Sequence, residues 1–274
     1  VIGESGAGKT TAVRRMLDKH ALQNGYDVNA PGCQIAMVTA PLTCNLAELG
    51  RETLRTLGLP TLRKRVDGPE VWRRCRERIR DLGILVIHFD EMQHVVQTVN
   101  EVEIQKVRNV VKGLLVDDKH PVALIISGTP ATVRLLEADR QVARRGRWIE
   151  LSTLNPSTDS KMVAKFTAKL AEEAELCIAV EEAMAVAPRI IHAGLRQLGV
   201  VAEEIHNAIR VALRCGDSHL RCQHFGEAFA NRTGNLTPFN PYLAENWRAV
   251  DAGRVLATEA PATRLPKGTK GGPR

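Results

Sequence analysis

Eight consecutive residues near the start, Gly3-Glu4-Ser5-Gly6-Ala7-Gly8-Lys9-Thr10, spell G-x-x-x-x-G-K-T, and Thr11 follows them. Few short patterns restrict a fold so tightly. Glycines let successive backbone N–H groups turn inward around phosphate oxygens, and the helix that follows points its positive end at the same spot. Lys9 supplies a point charge that reaches β- and γ-phosphates, and the Thr10 hydroxyl is a ligand of the kind Mg²⁺ takes. Such a loop works at the joint between a buried strand and a helix, so it predicts an α/β sheet. Only Val1 and Ile2 stand before it, so the strand feeding the loop is short and the chain reads as a fragment.

The rest of the first half supplies such a sheet. The helix after the loop is TTAVRRMLDKHAL, and QIAMVTAP (34–41), ILVIHFDE (84–91) and PVALIISGT (121–129) are short apolar runs of strand length, with RWIEL (147–151) a further one. Between them, NLAELGRETLRTLG (45–58) is amphipathic with Gly58 as its stop, and PEVWRRCRERIRDLG has proline in its first turn. EVEIQKVRNVVKGLLV sets Val102, Ile104, Val107, Val110, Val111, Leu114 and Leu115 at helical spacing. Strands that alternate with helices and are apolar throughout predict a parallel sheet flanked by helices. From Asn155 onward no strand pattern recurs. STDSKMVAKFTAKLAEEAEL and APRIIHAGLRQLGVVAEEIHNAIRVAL predict a small all-helical domain, the second with Leu195, Leu198, Val201, Ala202, Ile205, Ile209 and Leu213 on one face. The expected divisions are an α/β core over 1–152, a helical lid over 153–235, and a tail over 236–274 that binds a partner and then becomes disordered.

The chemistry concentrates at strand ends. Asp90 and Glu91 close the run ILVIHFDE; the first would hold the metal through its water shell, and the second would orient and deprotonate an attacking water. The hydroxyl of Ser127 or Thr129, at the end of PVALIISGT, can reach the γ-phosphate or that water if this strand lies between the loop strand and the FDE strand. His88 reads as a satisfied core histidine. Arg144, Arg145 and Arg147 form a basic segment from which an arginine could reach a neighbouring subunit's phosphate, and Arg189 and Arg196 are candidates for a contact from the helical domain.

Charge adds a second candidate surface. The net charge is +7, and residues 51–80 hold ten basic residues against four acidic ones, a net of +6. So focused a field implies an anionic partner. Arg63, Lys64, Arg65, Arg73, Arg74 and Arg76 would contact phosphates of duplex DNA without reading bases. The competing reading is a solvated helix face on which Glu70 and Glu77 balance the arginines. The six cysteines are scattered with no C-x-x-C pair, which reads as reduced thiols in a cytoplasmic protein. Cys215, His219, Cys222 and His224 lie close together but at no common zinc spacing. No apolar run approaches the ~18 residues of a membrane span. An Asn-Lys-x-Asp guanine-reading motif is absent, which argues against a GTPase, and Glu91 suits water activation better than a small-molecule kinase.

A phosphate loop, an FDE strand, a hydroxyl-ended strand, an arginine segment and a helical lid together resemble a AAA+ ATPase, a P-loop NTPase. The segment SGTPATVRLLEADRQVARR is similar to one in the TniB family, where Gly-Thr is followed by a helix, Asp-x-Gln-Leu and an Arg-Phe pair. On that match Asp139, Gln141 and Arg145 fall on family positions, with Arg145 as the arginine finger and Gly146 in place of the aromatic residue. NPYLAENWRAVD resembles the Asn-Pro-Phe tail of those proteins through Asn240 and Pro241, with Tyr242 for Phe. TniB proteins, like TnsC and MuB, are ATP-dependent regulators of DNA transposition. The resemblance implies an ATPase using ATP and Mg²⁺ that assembles with itself, as a ring or helix, on double-stranded DNA. It also implies communication with a transposase and a target-selection protein. A helicase loader or an initiator-like ATPase is the alternative within the same fold.

Overall fold

Ile35–Thr39 (β1), Val86–Asp90 (β2) and Ala123–Ile126 (β3) pair in parallel, in the order β1-β2-β3, in the computed structural model, which describes residues 1–18, 33–60, 66–137 and 146–256. The register sets Thr39 beside Asp90 and Phe89 beside Ile126, so the polar exits of the strands come out together. Ile2 continues the order by single parallel bridges to Gly128 on one side and Glu150 on the other. The strand PVALIISGT therefore does lie between the loop strand and the FDE strand. RWIEL, expected as a strand, contributes only that bridge and its flanking hydrogen bonds to Ile2, at 2.8 Å each.

Helices cover both faces of this sheet because its side chains are apolar on both. Lys9–Leu17 (α1) lays Val13 and Leu17 on one face against Ile35, Met37, Val86 and Ile125. The other face carries the larger core, built from Leu46–Thr56 (α2), Gly68–Asp81 (α3), Gln93–Thr98 (α4) and Glu101–Leu115 (α5) around Ile87 and Phe89. Three of these helices start on side-chain caps of the kind that contribute about 1 kcal/mol each. Asn45 accepts from the Glu48 N–H, Asp67 from Glu70 and Asn100 from Glu103, at 2.9, 3.0 and 3.0 Å. Gly58, at φ 76°, stops α2 as its position in the sequence implies.

Close packing of α2 on α3 depends on one glycine. A Cβ at Gly50 would stand 2.6 Å from Val71 Cγ1 and 3.0 Å from Trp72 Nε1. Without it, Trp72 slides in far enough to donate its indole N–H to Leu46 O at 2.9 Å and to meet Phe89 edge-on, centroids 6.3 Å apart. A buried arginine, invisible to a hydrophobic pattern, ties α5 to Val133–Glu137 (α6): Arg108 donates to the carbonyls of Leu135 and Arg134 and to the Glu101 carboxylate.

The chain divides into two compact units, Val1–Thr153 and a second that begins at Leu154. The second is helical: Ser160–Glu173 (α7), Val180–Ala193 (α8), Leu198–Cys215 (α9) and Cys222–Thr233 (α10). The long run APRIIHAGLRQLGVVAEEIHNAIRVAL is two helices, not one. Leu195 and Arg196, at φ 53° and 62°, turn the chain between them. Val201, Ile205 and Ile209 are buried, whereas Leu195, Leu198 and Leu213 are exposed. Glu204 shares the buried face; its carboxyl is raised from the ordinary value by burial, with Arg232 and the Tyr242 hydroxyl acting to lower it.

Residues 236–256 fold onto these helices. Arg189 collects the carbonyls of Pro241, Tyr242 and Ala244 through one nitrogen, at 2.8, 3.1 and 3.1 Å, while Trp247 lies beneath its guanidinium. Asn240 is fully buried and donates to Gly226 O at 2.7 Å. Among the described residues no helix is long and apolar enough to cross a membrane, and no group of three His, Cys, Asp or Glu could hold a metal ion.

Candidate functional site

The glycines of the opening loop are there for conformation and room. Gly6 and Gly8 take φ 79° and 86°, which side-chain-bearing residues rarely adopt, and Gly8 is the N-cap of α1. Gly3 is hemmed in: a Cβ would meet Ala7 Cβ and Leu151 O at 3.1 Å. The loop thus wraps the start of α1, leaving Glu4, Ser5, Gly6 and Thr11 exposed and Gly8 and Thr10 half-buried. Lys9 is buried, its ammonium donating to Gly3 O at 2.9 Å and Glu4 O at 3.0 Å. These are weak neutral acceptors for a buried cation, and a phosphate oxygen outbids them.

Thr10 meets the end of β2. Its hydroxyl donates to Asp90 Oδ2 at 2.5 Å, and Ser127 donates to Asp90 Oδ1, also at 2.5 Å. Burial alone would raise the Asp90 carboxyl, but hydrogen bonds from Ser127 and Thr10, the neighbouring His88 and the Glu91 N–H hold it below its ordinary value. It is therefore an anion at neutral pH. A hydroxyl and a carboxylate oxygen within one hydrogen bond, both hard donors, fit the oxygen preference of Mg²⁺.

His88 is more involved than a packed core histidine. It is fully buried, and its Nε2 lies 2.7 Å from Ser127 Oγ. Because Ser127 donates to Asp90, it must accept from His88, which fixes the proton on Nε2. Nδ1 is then a buried acceptor with no hydrogen-bond partner among the described residues. Burial pushes the pKa of this ring down from 6.5, against the pull of Asp90. The sequence carried one hint, a histidine in an otherwise apolar strand two residues before the aspartate.

Of the two hydroxyls left open by the sequence, Ser127 is committed to Asp90, whereas Thr129 is half-buried and its side chain makes no hydrogen bond that caps the turn it opens. Glu91 sits at φ 57°, its N–H donating to Asp90 Oδ1 at 2.9 Å. Its carboxylate accepts from Gln93, whose Oε1 accepts the Thr129 N–H at 3.1 Å. Sequence reasoning missed Gln93, since a glutamine after an acidic pair carries no charge signal.

The remaining expected residues divide between those the structure describes and those it does not. Asp139, Gln141, Arg144 and Arg145 lie outside the described residues, as do Arg63, Lys64 and Arg65. Arg147 is exposed. Arg189 spends one guanidinium nitrogen, Nη1, on the 241–244 carbonyls. Arg196 donates Nε to Leu154 O at 2.8 Å, a clasp returned by the Leu154 N–H to Arg196 O.

The outer face of α3 is basic but heavily paired. Arg73 binds Glu70 and Glu77, Arg74 binds Glu70 at 2.8 Å, and Arg80 approaches Asp117 at 3.8 Å. The two arginines draw the Glu70 carboxyl down to about 2. Arg76 has no ion pair among the described residues.

Residues 1–155, more than half of the chain, match the family described as bacterial TniB protein. The chain belongs to the TniB family. No curated protein matches it. Among solved structures, this TniB-family chain is similar to Cdc6p from Pyrobaculum aerophilum, with 15% identity and a TM-score of 0.62 over 84% of this chain and 59% of that one. It is also similar to the Aeropyrum pernix ORC1 protein, solved in complex with DNA, at 17% identity and a TM-score of 0.59 over 85% and 58%. A Walker-type ATPase of Pyrococcus abyssi gives 14%, 0.53, 85% and 66%. At such identity the likeness is one of fold, and the fold is that of the P-loop AAA+ ATPases. The chain spans about three-fifths of the length of the first two proteins.

Proposed function

We propose that this TniB-family protein binds and hydrolyses ATP, and that nucleotide governs its assembly on duplex DNA as a regulator of transposition. The nucleotide half of this reading rests on one observation, the Thr10–Asp90 contact at 2.5 Å beside a buried Lys9. The transposition half, with a transposase and a target-selection protein as partners, rests on family membership.

In this reading Lys9 exchanges its loop carbonyls for the β- and γ-phosphates, which the Gly3–Thr10 backbone surrounds. Thr10 and Asp90 would hold Mg²⁺, which when bound neutralises charge between those phosphates. Glu91 takes the proton of the attacking water, and Thr129 hydrogen-bonds the γ-phosphate or that water. Arg145 of a neighbouring copy stabilises the transferring phosphoryl group. The basic stretch 51–80 supplies DNA contacts; Arg76 and Arg78 of α3 have no ion pair among the described residues, though Arg78 donates to Leu57 O. An initiator-like ATPase shares the fold but needs no transposase.

The test is duplex binding by fluorescence anisotropy with and without ATP, for the native chain and Lys9→Ala. Without the ammonium and its charge-assisted hydrogen bonds, nucleotide binding should weaken about 10- to 100-fold, through about 1.5–3 kcal/mol, and the ATP-dependent part of DNA binding should vanish. DNA binding that ignores both ATP and the substitution would sink the reading. Stimulation of a cognate transposase separates a transposition regulator from an initiator.

A further inference from the structure

The first residue of α4 joins two strand exits that the reaction would use together. Gln93 is 5% exposed, and each end of its amide is spoken for. Nε2 donates to the Glu91 carboxylate, and Oε1 accepts the Thr129 N–H at 3.1 Å. Chemistry fixes this orientation. Turning the amide over would set its oxygen against a carboxylate oxygen and its nitrogen against an N–H.

The β3 exit closes tightly on that amide. A Cβ at Gly128 would stand 2.7 Å from Gln93 Oε1 and 2.1 Å from Thr132 Oγ1, so any larger residue there would have to displace both side chains. A backbone bond from Met92 N to Ser127 O, at 3.1 Å, runs alongside. Glu91 meanwhile has a left-handed backbone that a side chain disfavours, and the Gln93 amide is the side-chain donor given to its carboxylate among the described residues.

We propose that Gln93 is a positioning residue for hydrolysis, holding one oxygen of Glu91 and coupling it to the backbone of Thr129. It rests on the reading of Glu91 as the base that accepts the water proton. One carboxylate oxygen is pinned by the amide and the other is left to take the proton. Any displacement of Thr129 at the β3 exit is passed through a rigid amide to the base. The carboxylate is thus aimed by the neighbouring strand as well as by its own.

Two shape-matched variants of the full chain separate the two halves of the link. Gln93→Met removes both polar ends; Gln93→Glu keeps an acceptor for Thr129 but sets a carboxylate against Glu91. Both should lower kcat about 10- to 100-fold, the scale of a misplaced catalytic group, with KM and nucleotide affinity within about twofold of native. A second readout needs no turnover. Amide hydrogen exchange at Thr129, measured without nucleotide, should quicken about tenfold or more in Gln93→Met and stay slow in Gln93→Glu. Native kcat in both variants, or native Thr129 exchange in Gln93→Met, overturns the link. Glu91→Gln serves as the reference. If it hydrolyses ATP normally, the base assignment fails. If it is inactive while both Gln93 variants work normally, this inference alone fails.

Discussion

The strand exits and the outer face of α3 were both marked by charged residues in the sequence, and the structure treats them in opposite ways. At the exits, Lys9, Asp90, His88, Ser127 and Gln93 are buried, and their hydrogen bonds run to one another, to the loop, or to Glu91 and Thr129 beside them. On α3, Arg73 and Arg74 face solvent, and the acids that bind them lie three or four residues away on the same helix. Desolvated polar groups are costly, so a fold keeps a cluster of them only where each has a partner or a task. Exposed ion pairs cost and contribute little. A run of charge therefore carries less functional information than a few polar residues buried where strands end.

The largest effect that could break this contrast lies beneath the arginines. Trp72→Ala removes a ring 1% exposed, with its hydrogen bond to Leu46, and should cost about 3–5 kcal/mol in urea unfolding. A cost near 1 kcal/mol would mean that the inner face of α3 is no better anchored than the outer.

The next concerns the exits. The pKa of His88 is lowered on folding, so its contribution to stability is present above the unfolded value of 6.5 and is lost as pH falls from there towards the folded value. The unfolded chain takes up a proton that the buried ring declines. Stability should fall by up to about 1.4 kcal/mol per pH unit below about pH 6.5 on this account, and His88→Asn should flatten that limb. Urea titrations at about pH 7.5, 6 and 5 read it directly. An unchanged limb in the variant would show that His88 is not the group responsible.

The smallest effect is expected on α3 itself. Arg73→Gln with Arg74→Gln should change stability by less than about 1 kcal/mol. If those arginines trade their glutamates for phosphates, the slope of log affinity against log salt should shrink by about one for each phosphate the variant no longer neutralises. An identical slope would assign this face to solvent and leave DNA to other parts of the basic stretch.

Much of the first unit was legible beforehand for a physical reason. The G-x-x-x-x-G-K-T loop and the FDE strand are local patterns whose chemistry needs those residues in that order, and the short runs of Ile and Val read as strands, although β3, expected buried, is only half-buried at Leu124–Ile126 and exposed at Ala123. The reading failed where a signal depended on the third dimension. RWIEL has a strand's composition but only one bridging residue, and the break at Leu195–Arg196 hides inside an uninterrupted helical pattern. Nothing in the sequence shows that three carbonyls of residues 241–244 converge on one nitrogen of Arg189. Gln93 and the Nε2 proton of His88 become visible only once β2 and β3 lie side by side.

At Gly50 the absence of a single carbon lets two helices touch, and α3 carries Arg73, Arg74 and Arg80 exposed to solvent. Helix α3 is thus a lever with its fulcrum at a hydrogen atom. An alanine there would press on Val71 and Trp72, and a shift of α3 to relieve that pressure would carry Arg73 and Arg74 with it, altering where positive charge is offered without changing any charge. Whatever these side chains greet outside the molecule, their aim is set from within.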